Sequence, residues 1–116
     1  NAWHGYKQGL SDGVMKGYYQ TMSIPEGCEH NGHLFYLMTD SLPDRNEILK
    51  YLRGKGIIGA FHYVPLHSSP AGLKYGKFSS DMSVTNDTFE KLVRLPLFPK
   101  VDTQKVIDTV LSYYVR

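Results

Sequence analysis

The stretch DRNEILKYLRGKGIIGAFHYVPLH, residues 44–67, decides how this chain is read. Asp44 and Glu47 have capping-box spacing ahead of Ile48, Leu49 and Leu52, which trace one apolar helix face. Arg53-Gly54 then supplies the cation and the left-handed residue that commonly close a helix, so a helix is expected over Arg45 to Arg53. Ile57 to Phe61 reads as an apolar strand that runs directly into His62, Tyr63, Pro65 and His67. A buried element thus ends in a polar loop.

Working outward, HLFYLMT from His33 to Thr39 is dense in aromatic and aliphatic residues, as a central strand buried on both faces is. Strand, helix and strand in succession from His33 to Tyr63 predict a crossover unit with two parallel strands. Trp3, Tyr6 and Leu10 sit at helical spacing, and Tyr18 to Ile24 partly alternates before Pro25, predicting a strand at a sheet edge. Downstream, Ser68-Ser69-Pro70 can start a helical turn through Tyr75 that Gly76 ends. Thr85 caps a helix containing Phe89, Leu92 and Val93, and Arg94 to Phe98 reads as a brief strand. Asp102 caps a last helix whose Val106, Ile107, Val110, Leu111 and Tyr114 form one core-facing stripe. The fold class is α+β, a three- to four-stranded sheet covered by helices.

A length of 116 residues fits one domain with one core. Thirteen basic and eleven acidic residues are interspersed, giving a net charge of +2 and no support for nucleic-acid binding. The longest uncharged apolar stretch, Ile57 to Phe61, is too short to span a bilayer, and no basic region followed by an apolar core opens the chain. A cytoplasmic location is expected. The single cysteine, Cys28, excludes an internal disulfide, and Asn1-Ala2 ahead of Trp3 reads as an expression remnant before a domain at 3–116.

Four kinds of chemistry fail on spacing. Gly54-Lys55-Gly56-Ile57-Ile58-Gly59 spells GxGxxG, but a dinucleotide fingerprint needs a strand before the glycines and a helix after them, and here the order is reversed. His30, His33, His62 and His67 lack the ligand spacing of a metal site, so no metal is expected. Ser68 and Ser69 lie near His67 without an elbow motif or an orienting acid. The lysines fall on helix faces or loop tips, where a solvated ammonium is the ordinary state. No catalytic residue is assigned. What remains is His62-Tyr63-Val64-Pro65-Leu66-His67, whose imidazoles and phenol can hydrogen-bond a polar ligand while Pro65 fixes the loop's path. On spacing alone it serves equally as a ligand-facing loop or as a structural corner.

HYVPLH followed by Ser69-Pro70-Ala71-Gly72, together with Asn31-Gly32-His33-Leu34-Phe35-Tyr36 and Arg94-Leu95-Pro96-Leu97-Phe98-Pro99, resembles the C-terminal part of the DegT/DnrJ/EryC1/StrS sugar aminotransferases. The resemblance runs from Trp3 to the C-terminus, and Phe61 to Gly72 looks most like the family's dTDP-4-amino-4,6-dideoxygalactose transaminases. It implies the small domain of a fold-type-I, pyridoxal phosphate (PLP)-dependent homodimer that moves an amino group from glutamate to a nucleotide-linked 4-keto-6-deoxy sugar, as in enterobacterial common antigen or related polysaccharide synthesis. In such enzymes the Schiff-base lysine and the phosphate-binding groups lie in a large N-terminal domain. The chain is then expected to be inactive by itself and to hold no PLP, and Lys74 does not match the family's lysine motif. The same resemblance makes His62, Tyr63 and His67 candidates for touching substrate or shaping its pocket, with Phe61 and Pro65 as loop supports. A free-standing ligand-sensing or protein-interaction module of the same α+β class is the alternative.

Overall fold

The computed structural model describes residues 1–61, 64–77 and 80–115. Helices α1 (Ala2–Gly9) and α2 (Ser11–Met15) lead into strands β1 (Gln20–Thr21) and β2 (Phe35–Met38), then helix α3 (Leu42–Gly54). A 3-10 turn (Leu66–Ser68) and helices α4 (Pro70–Tyr75) and α5 (Ser83–Lys91) precede strand β3 (Leu92–Leu95) and helix α6 (Thr103–Val115). The chain is α+β, as expected, with a three-stranded sheet in the order β1-β2-β3.

Both pairings are antiparallel, Thr21 facing Leu37 on one side of β2 and Phe35 facing Leu95 on the other. The expected parallel crossover is therefore not formed. Beside β2 lies β3, where Leu92, Val93 and Leu95 are all buried, whereas Ile57 to Phe61 buries only Ile57 and leaves Ile58 74% exposed. That segment joins the sheet at a single antiparallel bridge, Ala60 to Arg94, with the Arg94 N–H donating to the Ala60 carbonyl at 2.7 Å. The central strand also differs from expectation. Phe35 and Leu37 are fully buried but Tyr36 and Met38 only partly, the alternation of a strand with one core face.

Three helix boundaries shift for local reasons. The N-cap of α3 is Ser41, not Asp44: its hydroxyl accepts the Asp44 N–H at 3.2 Å, and Pro43 occupies the first turn, where its missing N–H costs nothing. Helix α5 begins at Ser83 after Met82 in the left-handed region (φ 58°), which places Thr85 inside the helix. It ends at Lys91, so Leu92 and Val93 belong to β3 and not to the helix. The remaining caps are as expected, Ser69 accepting the Gly72 N–H at the start of α4 and Asp102 accepting the Lys105 N–H at the start of α6.

The core forms where α1, α3 and α6 meet the sheet: Trp3, Tyr6, Phe35, Leu37, Ile48, Leu52, Val93 and Val110 are all buried. Gly9 lets α1 and α6 close on each other, because a Cβ there would lie 2.5 Å from the Ile107 Cδ1. Polar handles on the buried aromatics tie α1 to the paired ends of β2 and β3. The Trp3 indole N–H donates to the Leu34 carbonyl at 3.1 Å and the Tyr6 hydroxyl to the Pro96 carbonyl.

Candidate functional site

The loop that the sequence singles out leaves the sheet at Ala60. Among the described residues Phe61, which comes next, is held by aromatic and cationic contacts and has no backbone pairing. Its ring meets that of Phe89 edge-to-face at 5.7 Å, and the Arg45 guanidinium lies 5.0 Å from the Phe61 ring centre and 5.1 Å from that of Phe89. Arg45 is only 6% exposed. Its Nη1 donates to the Phe89 carbonyl at 2.7 Å, and Nε and Nη2 donate to the Asn46 Oδ1. Burial lowers the Arg45 pKa, and the negative charge of Glu90 acts in the opposite sense.

His62 and Tyr63 lie outside the described residues. Beyond them Pro65 is buried and its carbonyl accepts the N–H groups of Ser68 and Ser69, which closes the 3-10 turn that carries half-buried His67. The Ser69 hydroxyl donates to the Leu66 carbonyl at 2.8 Å while its oxygen accepts the Gly72 N–H. The loop is thus knotted by its own short-range bonds. Gly72 has to be glycine, since an added Cβ would overlap the Leu66 carbonyl. An apolar groove of 490 Å³ opens between Val64, Pro65 and Leu66 on this loop and Val84, Phe89 and Leu92 beyond it.

The other histidines are placed elsewhere. The His30 ring packs on that of Trp3, tilted by 33° at 3.9 Å between ring centres, and its Nδ1 accepts the Gly32 N–H, while His33 is exposed just before β2. Among the described residues no three His, Cys, Asp or Glu side chains cluster in a way that could hold a metal ion.

Two features escaped the sequence reading. Arg45 is at i−3 and i−7 from Ile48 and Leu52, so its place on the buried face was available from helical periodicity. A second cavity, of 640 Å³, lies at the β1–β2 edge with Tyr19, Thr39, Asp40, Asp87 and Lys91 around it. Its Lys91 is held by Asp87 at 2.9 Å, a hydrogen bond that raises the lysine's pKa and keeps it a charged ammonium.

Residues 1–112 match the family model described as the DegT/DnrJ/EryC1/StrS aminotransferase family. The chain belongs to this family. An uncharacterised protein of Methanocaldococcus jannaschii is 30% identical over 94 residues, 78% of this chain and 24% of that protein. A pleiotropic regulatory protein of Geobacillus stearothermophilus is 24% identical over the same length. The chain therefore spans about a quarter of the curated relatives it matches. Among solved structures, S. venezuelae DesV in complex with a ketimine intermediate superposes with a TM-score of 0.83 at 23% identity, over 99% of this chain and 31% of that one. Helicobacter pylori PseC, an aminotransferase involved in the biosynthesis of pseudoaminic acid, gives 0.81 at 17% identity, over 98% and 31%. No described helix is long and apolar enough to cross a membrane.

Proposed function

We propose that this chain is the C-terminal small domain, residues 3–116, of a PLP-dependent sugar aminotransferase that moves an amino group from glutamate to a nucleotide-linked 4-keto-6-deoxy sugar. The observation that carries this reading is one of proportion: the family model covers nearly the whole chain, yet the chain fills only about 30% of each aminotransferase it superposes on. Within the family, the Phe61 to Gly72 resemblance favours the dTDP-4-amino-4,6-dideoxygalactose transaminases of polysaccharide synthesis.

Neither Lys74 nor Lys91 has the setting of a Schiff-base lysine. A Schiff-base lysine needs an amine that loses its proton readily in a sheltered site. Lys74 instead stands on exposed α4 beside the Tyr75 ring, and Lys91 is paired with Asp87 at the surface, which favours its charged form. The cofactor's lysine and phosphate site are accordingly assigned to a large N-terminal domain, with a cytoplasmic homodimer as the working assembly. This chain's part is to border the substrate. Val64, Pro65 and Leu66 form one wall of the groove, and His62, Tyr63 and His67, on the same loop, are assigned to contact the sugar nucleotide or shape its pocket, with Phe61 and Pro65 as supports.

Borohydride reduction of this chain with PLP, followed by mass spectrometry, tests the assignment. Diffuse, substoichiometric labelling of lysines is expected. One lysine labelled selectively and stoichiometrically would overturn it.

A further inference from the structure

We propose that Arg45 is a positioning residue for the loop that starts at Phe61, pinning the Phe61 ring against the last turn of α5 and so setting the direction in which the chain leaves Ala60. The inference rests on the reading of that loop as the substrate-facing edge.

The geometry carries it. An arginine early in a helix ordinarily reaches into water, yet this one is 6% exposed, and among the described residues no carboxylate forms an ion pair with it. Its charge is met by the faces of two perpendicular phenyl rings, by the Phe89 carbonyl, one of the carbonyls at the negative end of α5, and by the Asn46 Oδ1, with the charge of Glu90 acting from farther off. One guanidinium thereby joins the first turn of α3, the last turn of α5 and the exit of the Ala60 bridge. Among the described residues Phe61 has no backbone partner of its own in the sheet, and the contacts they give it beyond Ala60 are those with Arg45 and Phe89. A guanidinium buried only to fill the core would be replaceable by an apolar side chain of equal length, often with a gain in stability.

That contrast defines the test, made on the full chain by comparing Arg45→Met, Arg45→Lys and Phe61→Leu. Arg45→Met is expected to keep the melting temperature within a few degrees while exchange of the Ala60 amide, which donates to the Arg94 carbonyl at the loop exit, accelerates about tenfold, with β2 and α6 unchanged. Arg45→Lys, which keeps the charge but not the fork of donors, is expected to fall between, and Phe61→Leu added to Arg45→Met should accelerate exchange no further. Unchanged exchange at Ala60 in Arg45→Met overturns the proposal. So does acceleration spread evenly over the molecule, and if Arg45→Met does not fold the same comparison is decided by Arg45→Lys and Phe61→Leu. In the full-length protein Arg45→Met should raise KM for the sugar nucleotide several-fold with little change in the half-reaction with the amino donor. Loss of local protection without that KM change would separate failure of the functional reading from failure of this one.

Discussion

The Tyr113 hydroxyl donates to the Asp44 Oδ1 at 3.0 Å, joining the last helix to the first turn of α3 across 69 positions of sequence. Tyr113 is buried and Asp44 half-buried, so the bond is partly sheltered from water, and it ties α6 to the helix that precedes the loop. Tyr113→Phe is expected to cost ~1 kcal/mol, the usual net worth of such a bond, and to lower the melting temperature by roughly 4 °C. Asp44→Ala should cost a similar amount. The double variant should cost less than the sum, which chemical denaturation of all three will show.

Gly13 and Gly54 should respond in opposite directions to alanine. A Cβ on Gly13 would overlap the Tyr19 hydroxyl and ring, and Tyr19 cannot yield because it is buried and its hydroxyl donates to the Leu10 carbonyl at 2.7 Å. Gly13→Ala should destabilise by ~1–3 kcal/mol, since overpacking outweighs the gain in helix propensity. Gly54 ends α3 with open space around its Cα and no left-handed φ, so Gly54→Ala should stabilise by ~0.5 kcal/mol. Equal signs in thermal melts would sink this account of both sites.

Which parts of the fold could be read in advance follows from how local their causes are. Val106, Ile107 and Val110 announce α6 because its stripe and its Asp102 cap are consecutive chemistry. Phe89, Leu92 and Val93 misled because they fit a helical face and an apolar strand equally well, and the left-handed Met82 that shifts the start of α5 leaves no mark in the sequence. The edge of β2 was misassigned for a different reason. Two apolar segments, Ile57 to Phe61 and Leu92 to Leu95, compete for it, and the outcome depends on burial of whole segments, which no local window contains. At the site, Pro65 and the Ser69 cap belong to the same local class, whereas the Phe61–Arg45–Phe89 contact joins three distant stretches. Only Arg45's helical register hinted at it.

Leu66, Leu73, Tyr75 and Val84 are 78%, 69%, 79% and 78% exposed around the loop and the helices that follow it. Apolar side chains gathered in this way mark surface that seeks a covering partner. The chain should therefore self-associate weakly, its sedimentation coefficient rising with concentration. Leu66→Glu with Leu73→Lys should abolish the rise while changing stability by no more than ~0.5 kcal/mol, as exposed substitutions do. Strictly monomeric behaviour of the unaltered chain at every concentration would count against a covered surface here.

Alkaline pH should unfold the chain through its buried phenols. Burial raises the pKa of Tyr6 and of Tyr19 to about 12, with Asp102 adding to the first and Asp12 to the second. Tyr114 is pushed up as well, by burial first and then by Asp44. In the unfolded chain these phenols titrate near ~10, so below that pH both states are neutral and the contribution to stability is fully present. Between about 10 and 12 the unfolded chain loses its protons first, the native state holds more of them, and stability falls as pH rises. A tenfold difference in proton affinity between the two states corresponds to ~1.4 kcal/mol, so each of the two phenols contributes at most ~3 kcal/mol, enough together to unfold a domain of ordinary stability. The tyrosinate absorbance that comes from the buried phenols should therefore appear together with the loss of circular dichroism within that window. Tyr6→Phe loses the bond to the Pro96 carbonyl and so should be less stable at neutral pH, yet its stability should fall less steeply with alkali because one titrating group is gone. If every tyrosine ionised near ~10 with the fold intact, the phenols would not be buried as described.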